Sequence, residues 1–272
     1  MGYITPKNLS LLLLSLLNVP WLLSCLSVTP YNVDSPRLPE SFNGFKIAVI
    51  ADLHSHSFGK NESKLIESVM EQNPDMVVLA GDIINKRDRN TANVRSLLAG
   101  ICGTFPVYAV AGNHEFENPS RFAELLNVYR EYGVIFLDGQ TVLFKRGEHL
   151  IAISSQKLVP RYGRNNYWIN NNTAPLYKDE FNIFLHHFGN EFDAISDEYD
   201  LVISGHVHGG VIRIFKTGLF GHGKKRIFPK YSKGVYRKES GSVMVLSAGL
   251  GNTIIPRINN PRELVIITLF GE

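Results

Sequence analysis

FKIAVIADLH, from Phe45 to His54, is the stretch from which the rest of the chain can be read. Six of its first seven side chains are apolar and the run is rich in β-branched residues. It then stops abruptly in Asp52-Leu53-His54. A continuous apolar run of this length predicts a strand covered on both faces, not one that alternates core and solvent. The helical pattern that follows, Glu62 to Gln72, makes the unit β then α. Working outward, the same grammar recurs. Strands are expected at Met76 to Ala80, Val107 to Ala111, Asn182 to Leu185, Leu201 to Ser204, Val243 to Leu246 and Glu263 to Leu269. Helices are expected near Thr91 to Gly100 and Ser120 to Tyr132. Thr141 to Lys145 and Leu150 to Ser154 flank Arg146-Gly147-Glu148 as a hairpin. No internal repeat or second domain boundary is visible. The expected architecture is α/β, two β-sheets packed as a sandwich and flanked by helices.

The polar motifs fall just after the predicted strands. They are Asp52-Leu53-His54, Gly81-Asp82, Gly112-Asn113-His114-Glu115, His187 in the His186-His187 pair, and Gly205-His206-Val207-His208. Strand ends are where α/β sheets assemble ligand sites. Singly each motif is weak, since a Gly-Asp pair is usually a turn and a lone histidine is usually a hydrogen-bonded core residue. Together they place five of the chain's nine histidines at successive strand ends. Turns and caps do not require imidazole, so the set reads as a metal site. Carboxylate, carboxamide and imidazole without thiolate exclude cysteine-held zinc and leave manganese, iron or zinc open.

The remaining composition bounds the protein without naming a partner. The 272 residues are 44% hydrophobic and 19% charged, enough for a sizeable core and one catalytic domain. Lys and Arg number 28 against 25 Asp and Glu, a formal charge of +3. The total therefore predicts neither nucleic-acid nor membrane electrostatics. Cys25 and Cys102 provide no disulfide framework. Leu9 to Val28 is uncharged and long enough to span a bilayer. With Lys7 before it and no A-x-A site after it, residues 1–30 read as a retained membrane anchor or signal segment, with the domain extracytoplasmic. Leu22-Leu23-Ser24-Cys25 alternatively resembles a lipoprotein processing site with a lipid on Cys25. Residues 31–44 read as a Pro-containing linker and domain entry, and 45–272 as the domain.

The order D-x-H, G-D, G-N-H-[DE], H and G-H-x-H resembles the calcineurin-like metallophosphoesterase superfamily. The leader, LPESFNGFKIAVIADLH, SGHVHGG, FPKYSKGVY and SAGLGNTIIPRINNPRELVIITL resemble its membrane-anchored bacterial branch over roughly residues 31–270. The resemblance implies two divalent metal ions. Asp52, His54 and His208 would hold one, Asn113, His187 and His206 the other, and Asp82 would bridge them. A hydroxide shared by metals about 3.5 to 4 Å apart would attack phosphorus. His114 would donate a proton to the leaving oxygen or stabilise the transition state as a cation. Glu115 would orient neighbouring groups, or else be a solvated loop carboxylate. Of His186 and His187 either is available as the ligand; the branch's spacing to Phe192-Asp193 selects His187. Gly189 stands where the family usually has proline, which loosens that loop.

The implied function is hydrolysis of phosphodiester, pyrophosphate or phosphomonoester bonds, with an envelope-linked substrate preferred. The branch includes enzymes acting on acylated sugar nucleotides, so a lipid-linked substrate is among the expectations. The competing readings are a catalytically silent membrane-tethered metal-binding scaffold, disfavoured by His114, and a nuclease, disfavoured by the missing basic and aromatic track. The segments Arg161 to Thr173 and Lys216 to Gly234 are the least structured by pattern. Within and after them, Lys224, Lys225, Arg226, Lys230, Lys233, Arg237 and Lys238 form either a solvated surface or an attractor for an anionic substrate. Arg161, Arg164, Tyr167 and Trp168 form a candidate phosphate-clamping wall, and His222 a further group near the substrate.

Overall fold

The computed structural model describes residues 26–157, 159–160, 167–168, 175–221 and 227–271. Leu9 to Cys25, Arg161, Arg164, His222, Lys224, Lys225 and Arg226 lie outside the described residues. For Tyr167 and Trp168 only the backbone is described. The strands are β1 (Leu26–Asp34), β2 (Lys46–Ile50), β3 (Met76–Ala80), β4 (Val107–Val110), β5 (Ile135–Phe136), β6 (Thr141–Arg146), β7 (His149–Ser155), β8 (Val159–Pro160), β9 (Tyr167–Trp168), β10 (Phe181–Phe188), β11 (Leu201–Gly205), β12 (Arg213–Ile214), β13 (Thr217–Gly218), β14 (Gly234–Arg237), β15 (Val243–Leu246) and β16 (Arg262–Phe270). The helices are α1 (Ser63–Gln72), α2 (Ala92–Ile101), α3 (Asn113–Glu117) and α4 (Pro119–Glu131).

Two six-stranded sheets carry the fold, in the orders β1-β16-β2-β3-β4-β5 and β14-β15-β11-β10-β7-β6. β2, β3, β4 and β5 run parallel, as do β7, β10, β11 and β15. The apolar runs explain the layering. In β2, Ile47 and Val49 join the core between the sheets, while Ala48 and Ile50 face the helices. The intersheet core includes Val78, Ile153, Ile183, Ile203, Val245 and Ile267. On the outer face of the first sheet, Leu65 and Val69 of α1, Leu97 and Leu98 of α2, and Leu125 and Val128 of α4 cover it. Phe192, Tyr199 and Tyr231 cover part of the other outer face, against Phe184 and Val202. The central strands of both sheets are thus buried on both sides, as their unbroken hydrophobic runs predicted. At about 25 cal/mol per Å² of apolar burial, layers of this kind dominate the stabilisation.

One segment differs from its sequence reading. Leu26–Asp34, taken as the end of the leader and the start of the linker, is an edge strand paired in parallel with β16 from Leu26↔Arg262 to Asp34↔Phe270. Pro30 lies inside it, which an edge strand tolerates because one side of the ladder needs no N–H donor. Leu26 to Val28 of the apolar run therefore belong to the sheet and not to a membrane span. Among the described residues no helix is long and apolar enough to cross a membrane. The hairpin β6–β7 forms as expected, with pairing from Thr141↔Ser154 to Arg146↔His149.

Candidate metal centre

The parallel strands β2, β3, β4, β10 and β11 all end at one edge, and each releases its polar motif there. Asp52 and His54 follow β2, Asp82 follows β3, Asn113 and His114 open α3 after β4, His187 sits near the end of β10, and His206 and His208 follow β11. Three groups of side chains have ligand atoms within 4.8 Å of one another: Asp52 with His54 and His208, Asp82 with His187 and His206, and His54 with Asp82 and His114. Asp82 belongs to two of them and lies between the histidines of both sheets. Its Oδ2 is 3.3 Å from His187 Nε2 and 3.9 Å from His54 Nε2. Its Oδ1 accepts the His114 backbone N–H at 2.8 Å. One oxygen is thereby turned inward and the other is held.

The same logic orients the remaining donors. The His187 ring nitrogen Nδ1 lies 2.8 Å from the Ala80 carbonyl, so Nδ1–H donates and Nε2 is left facing Asp52 and Asp82. His186, one residue earlier on the strand, points to the opposite face, stacks on Phe184 and lies 3.5 Å from Glu191. Strand alternation lets only one of the pair reach the centre. Asp52 is fully buried, and both its oxygens accept the His206 N–H at 3.0 Å. Asn113 lines the same cleft. His114 packs edge-on to His54 with ring centroids 4.6 Å apart, and its Nδ1 lies 3.7 Å from Glu117.

Glu115 is not a solvated loop carboxylate. It is buried and accepts four backbone N–H groups: Gly112 at 2.7 Å, Asp82 and Ile83 at 2.9 Å, and Ile84 at 3.2 Å. One side chain thus ties the loop after β3 to the loop after β4 and sets where Asp82 stands. Burial, then the nearby Asp82, push its carboxyl up to about 7. The backbone of the site is itself unusual. Asp52, His54, Asp82, His206 and His208 all have left-handed φ between 47° and 77°. Such conformations cost non-glycine residues about 1 to 3 kcal/mol each and persist where surroundings enforce them.

Electrostatics show what the donor set accepts. Burial lowers His54 to about 4, and burial with His54 and Arg257 holds His208 well below its ordinary value. Both rings are therefore neutral, and their Nε2 atoms face each other at 3.3 Å. Burial lifts Asp52 up to about 7. Burial would also lift Asp82, but the adjacent His187 outweighs it and keeps that carboxyl low; against burial, the same pair raises His187 to about 10. Two opposed imidazole nitrogens and a buried carboxylate leaning on a neighbouring imidazolium fit a site that takes divalent cations between them. The residues fit the metals implied by the motif.

Sequence reading missed the contribution of the C-terminal loop. Gly251 N–H donates to the Asp52 carbonyl at 2.6 Å. A Cβ on Gly249 would stand 2.6 Å from the Asp52 Cβ. Buried Arg257 donates to the carbonyls of Ala248 at 2.7 Å and Gly251 at 3.1 Å, and its Nη2 lies 3.4 Å from His208 Nδ1. An isolated arginine in PRINNP carries no such signal in one sequence. The described members of the basic cluster do not face the centre as a set: Lys230 pairs with Asp193, Lys233 with Glu263, Arg237 with Asp34 and Lys238 with Asp197. The centre opens into a cleft of about 730 Å³ whose floor includes His54, His114 and His206 and whose walls include Lys86, Asn190 and Ile254.

The family model for calcineurin-like phosphoesterases matches residues 45–210, more than half the chain. The chain belongs to the calcineurin-like phosphoesterase family. It is a metal-dependent phosphoric ester hydrolase. Among curated relatives, an uncharacterized metallophosphoesterase of Aquifex aeolicus is 24% identical over 254 residues, covering 91% of this chain and 93% of its own. The uncharacterized metallophosphoesterase YkuE of Bacillus subtilis is 27% identical over 262 residues, covering 90% and 85%. A dimetal phosphatase from Danio rerio is similar in structure with a TM-score of 0.46 and 13% identity, over 76% of this chain and 88% of that one. The family match stops at Gly210, so the loop bearing Gly249, Gly251 and Arg257 supports the phosphoesterase site from outside the matched span.

Proposed function

We propose that this phosphoesterase works with two divalent metal ions. Asp52, His54 and His208 hold one, Asn113, His187 and His206 the other, and Asp82 is shared. The observation that carries the reading is Asp82 Oδ2, turned toward His187 on one side and His54 on the other while Oδ1 is tied to the His114 N–H. Manganese, iron or zinc suits this mixed oxygen and nitrogen donor set; when bound, such ions polarise the phosphoryl group and acidify a water molecule to near neutral pKa. The chain's own residues do the rest. Glu115 fixes Asp82, the Ala80 carbonyl fixes the His187 ring, and His114 at the cleft floor delivers a proton to the departing oxygen. Glu117 Oε2 lies 3.7 Å from His114 Nδ1 and faces that side of the ring.

The preferred substrate is a phosphodiester or pyrophosphate, lipid-linked or otherwise tied to the cell envelope. The uncharged run Leu9 to Cys25 supports a tether that holds the catalytic domain at the outer side of a membrane. The test is a His114→Ala variant assayed with aryl monoesters, aryl diesters and sugar nucleotides. It should retain two metals per chain and lose on the order of 10² to 10⁴ in turnover, most for poor leaving groups. Loss of metal would remove His114 from the proton-donor role. A wild type that binds two metals and hydrolyses nothing would favour a scaffold.

A further inference from the structure

The cleft has a polar floor and an apolar rim, and the rim continues outward. Val211, Phe220, Ile254 and Ile255 line the cleft together with the site histidines. Of these Ile254 and Ile255 are exposed, as are Ile214, Phe215, Ile227 and Phe228. The backbone joins these residues into one surface. Phe215 is at the tip of the β12–β13 hairpin. Ile212 bridges to Ile258, Phe220 bridges to Ile227, and Phe228 N–H donates to the Leu219 carbonyl. Single exposed apolar residues need no explanation, but isoleucines and phenylalanines on neighbouring segments around a cleft do.

Phe215 sharpens the point. It is 97% exposed and has φ +54° in a two-residue turn, where asparagine or glycine is the economical choice. Neither burial nor local conformation accounts for a phenylalanine there. Lys216 beside it places a cation at the same tip.

The route by which the chain enters the fold points to the same edge. β1 starts at Leu26, which pairs with Arg262 at the start of β16. The 252–261 loop carrying Ile254 and Ile255 directly precedes Arg262. Glu263 N–H donates to Gly249, and Gly251 N–H to Asp52, so only this short segment separates the start of β1 and β16 from the metal-binding edge. The uncharged run Leu9 to Cys25 therefore joins the fold at the edge that bears the cleft and the exposed rim, not at the opposite one.

We propose that this edge is a bilayer-docking surface: Ile214, Phe215, Phe228 and Ile254 enter the lipid interface, Lys216 meets anionic headgroups, and the cleft receives its phosphoester from the membrane. The substrate class follows, an amphiphile whose phosphate reaches the histidine floor while its apolar part remains against Ile254, Ile255 and Phe220. The naming of that substrate rests on the phosphoesterase reading; the docking geometry does not.

The test uses the full chain with Cys25→Ser and Cys102→Ser, carrying one environment-sensitive dye on Phe215→Cys, Ile254→Cys or Glu148→Cys. Glu148 is in the β6–β7 turn at the opposite edge. Each protein is mixed with phosphatidylethanolamine and phosphatidylglycerol vesicles containing a doxyl-labelled lipid. Dyes at 215 and 254 should be quenched several-fold more than the dye at 148. Equal quenching at all three positions, or failure to float with the vesicles, overturns the proposal. A blue shift at 215 that grows with protein concentration in the absence of vesicles also overturns it, by showing that a second copy covers the face. Hydrolysis of a soluble aryl diester, measured on the same samples, reports separately on the phosphoesterase reading. Quenching without hydrolysis would sink that reading and leave docking standing.

Discussion

The two ends of the sheets solve the same geometric problem in opposite ways. At the end away from the metal centre, the β6–β7 turn uses Gly147 at φ +61°, and a Cβ there would meet nothing within 4 Å. Its glycine is needed for backbone angle alone. At the metal end, left-handed angles fall instead on Asp52, His54, Asp82, His206 and His208, whose side chains are the point. Glycine is used there to make room: at Gly249 (φ +72°) a Cβ would press on Asp52, and at Gly81 (φ +87°) it would stand 2.6 Å from His187 Nδ1. The far end is built at low conformational cost, and the metal end holds strain in order to converge donors.

Breaking the metal end should have the largest effect. An Asp82→Ala chain should lose bound metal and at least about 10³-fold in kcat/KM, because the shared oxygen disappears. Metal analysis beside steady-state kinetics checks this, and full metal content with near-normal turnover would remove Asp82 from the bridging position. Glu115→Gln comes next. The amide presents an NH₂ to donors that now share two carboxylate oxygens, leaving buried N–H groups short of partners at about 1 to 3 kcal/mol. Urea unfolding should show that loss, and turnover should fall with it as Asp82 is released from its position.

The glycine contrast can be tested directly. Gly249→Ala should destabilise by about 2 to 4 kcal/mol, adding an overpacking cost to the left-handed penalty, and should impair metal binding through Asp52. Gly147→Ala should lose only about 1 to 2 kcal/mol and leave metal content untouched. Equal losses in thermal unfolding would erase the distinction between the two ends. A last effect concerns the far end as well. Burial lifts the Cys102 thiol up to about 11, so its thiolate is scarce below that pH and its reactivity rises as pH approaches 11. Relative to an ordinary thiol, alkylation in a Cys25→Ser chain at pH 8 should be about 100-fold slower. Labelling at the ordinary rate would show that α2 opens readily near its end.

Much of this was legible in the residues. Unbroken runs such as IAVIA and MVVLA announced strands buried on both faces, and the polar residues following them announced a shared edge. Met76–Ala80 and Val243–Leu246 agree with their predicted limits. Leu26–Asp34 was not legible as a strand because its partner, β16, lies more than two hundred residues away and its pattern is weak. Glu115 was legible as present but not as buried, since a carboxylate beside a loop reads the same whether it meets water or four N–H groups.

The sequence by itself determined the donor types, their order and their attachment to strand ends, because hydrophobic periodicity and ligand chemistry are local properties. The tertiary structure decided how they converge. It turned His187 inward and His186 outward, gave Asp82 one oxygen held by the backbone and one turned toward the histidines, and brought Gly249, Gly251 and Arg257 beneath Asp52 and His208. It also collected scattered isoleucines and phenylalanines into a single rim. Those outcomes depend on contacts between residues distant along the chain, which no window of sequence contains.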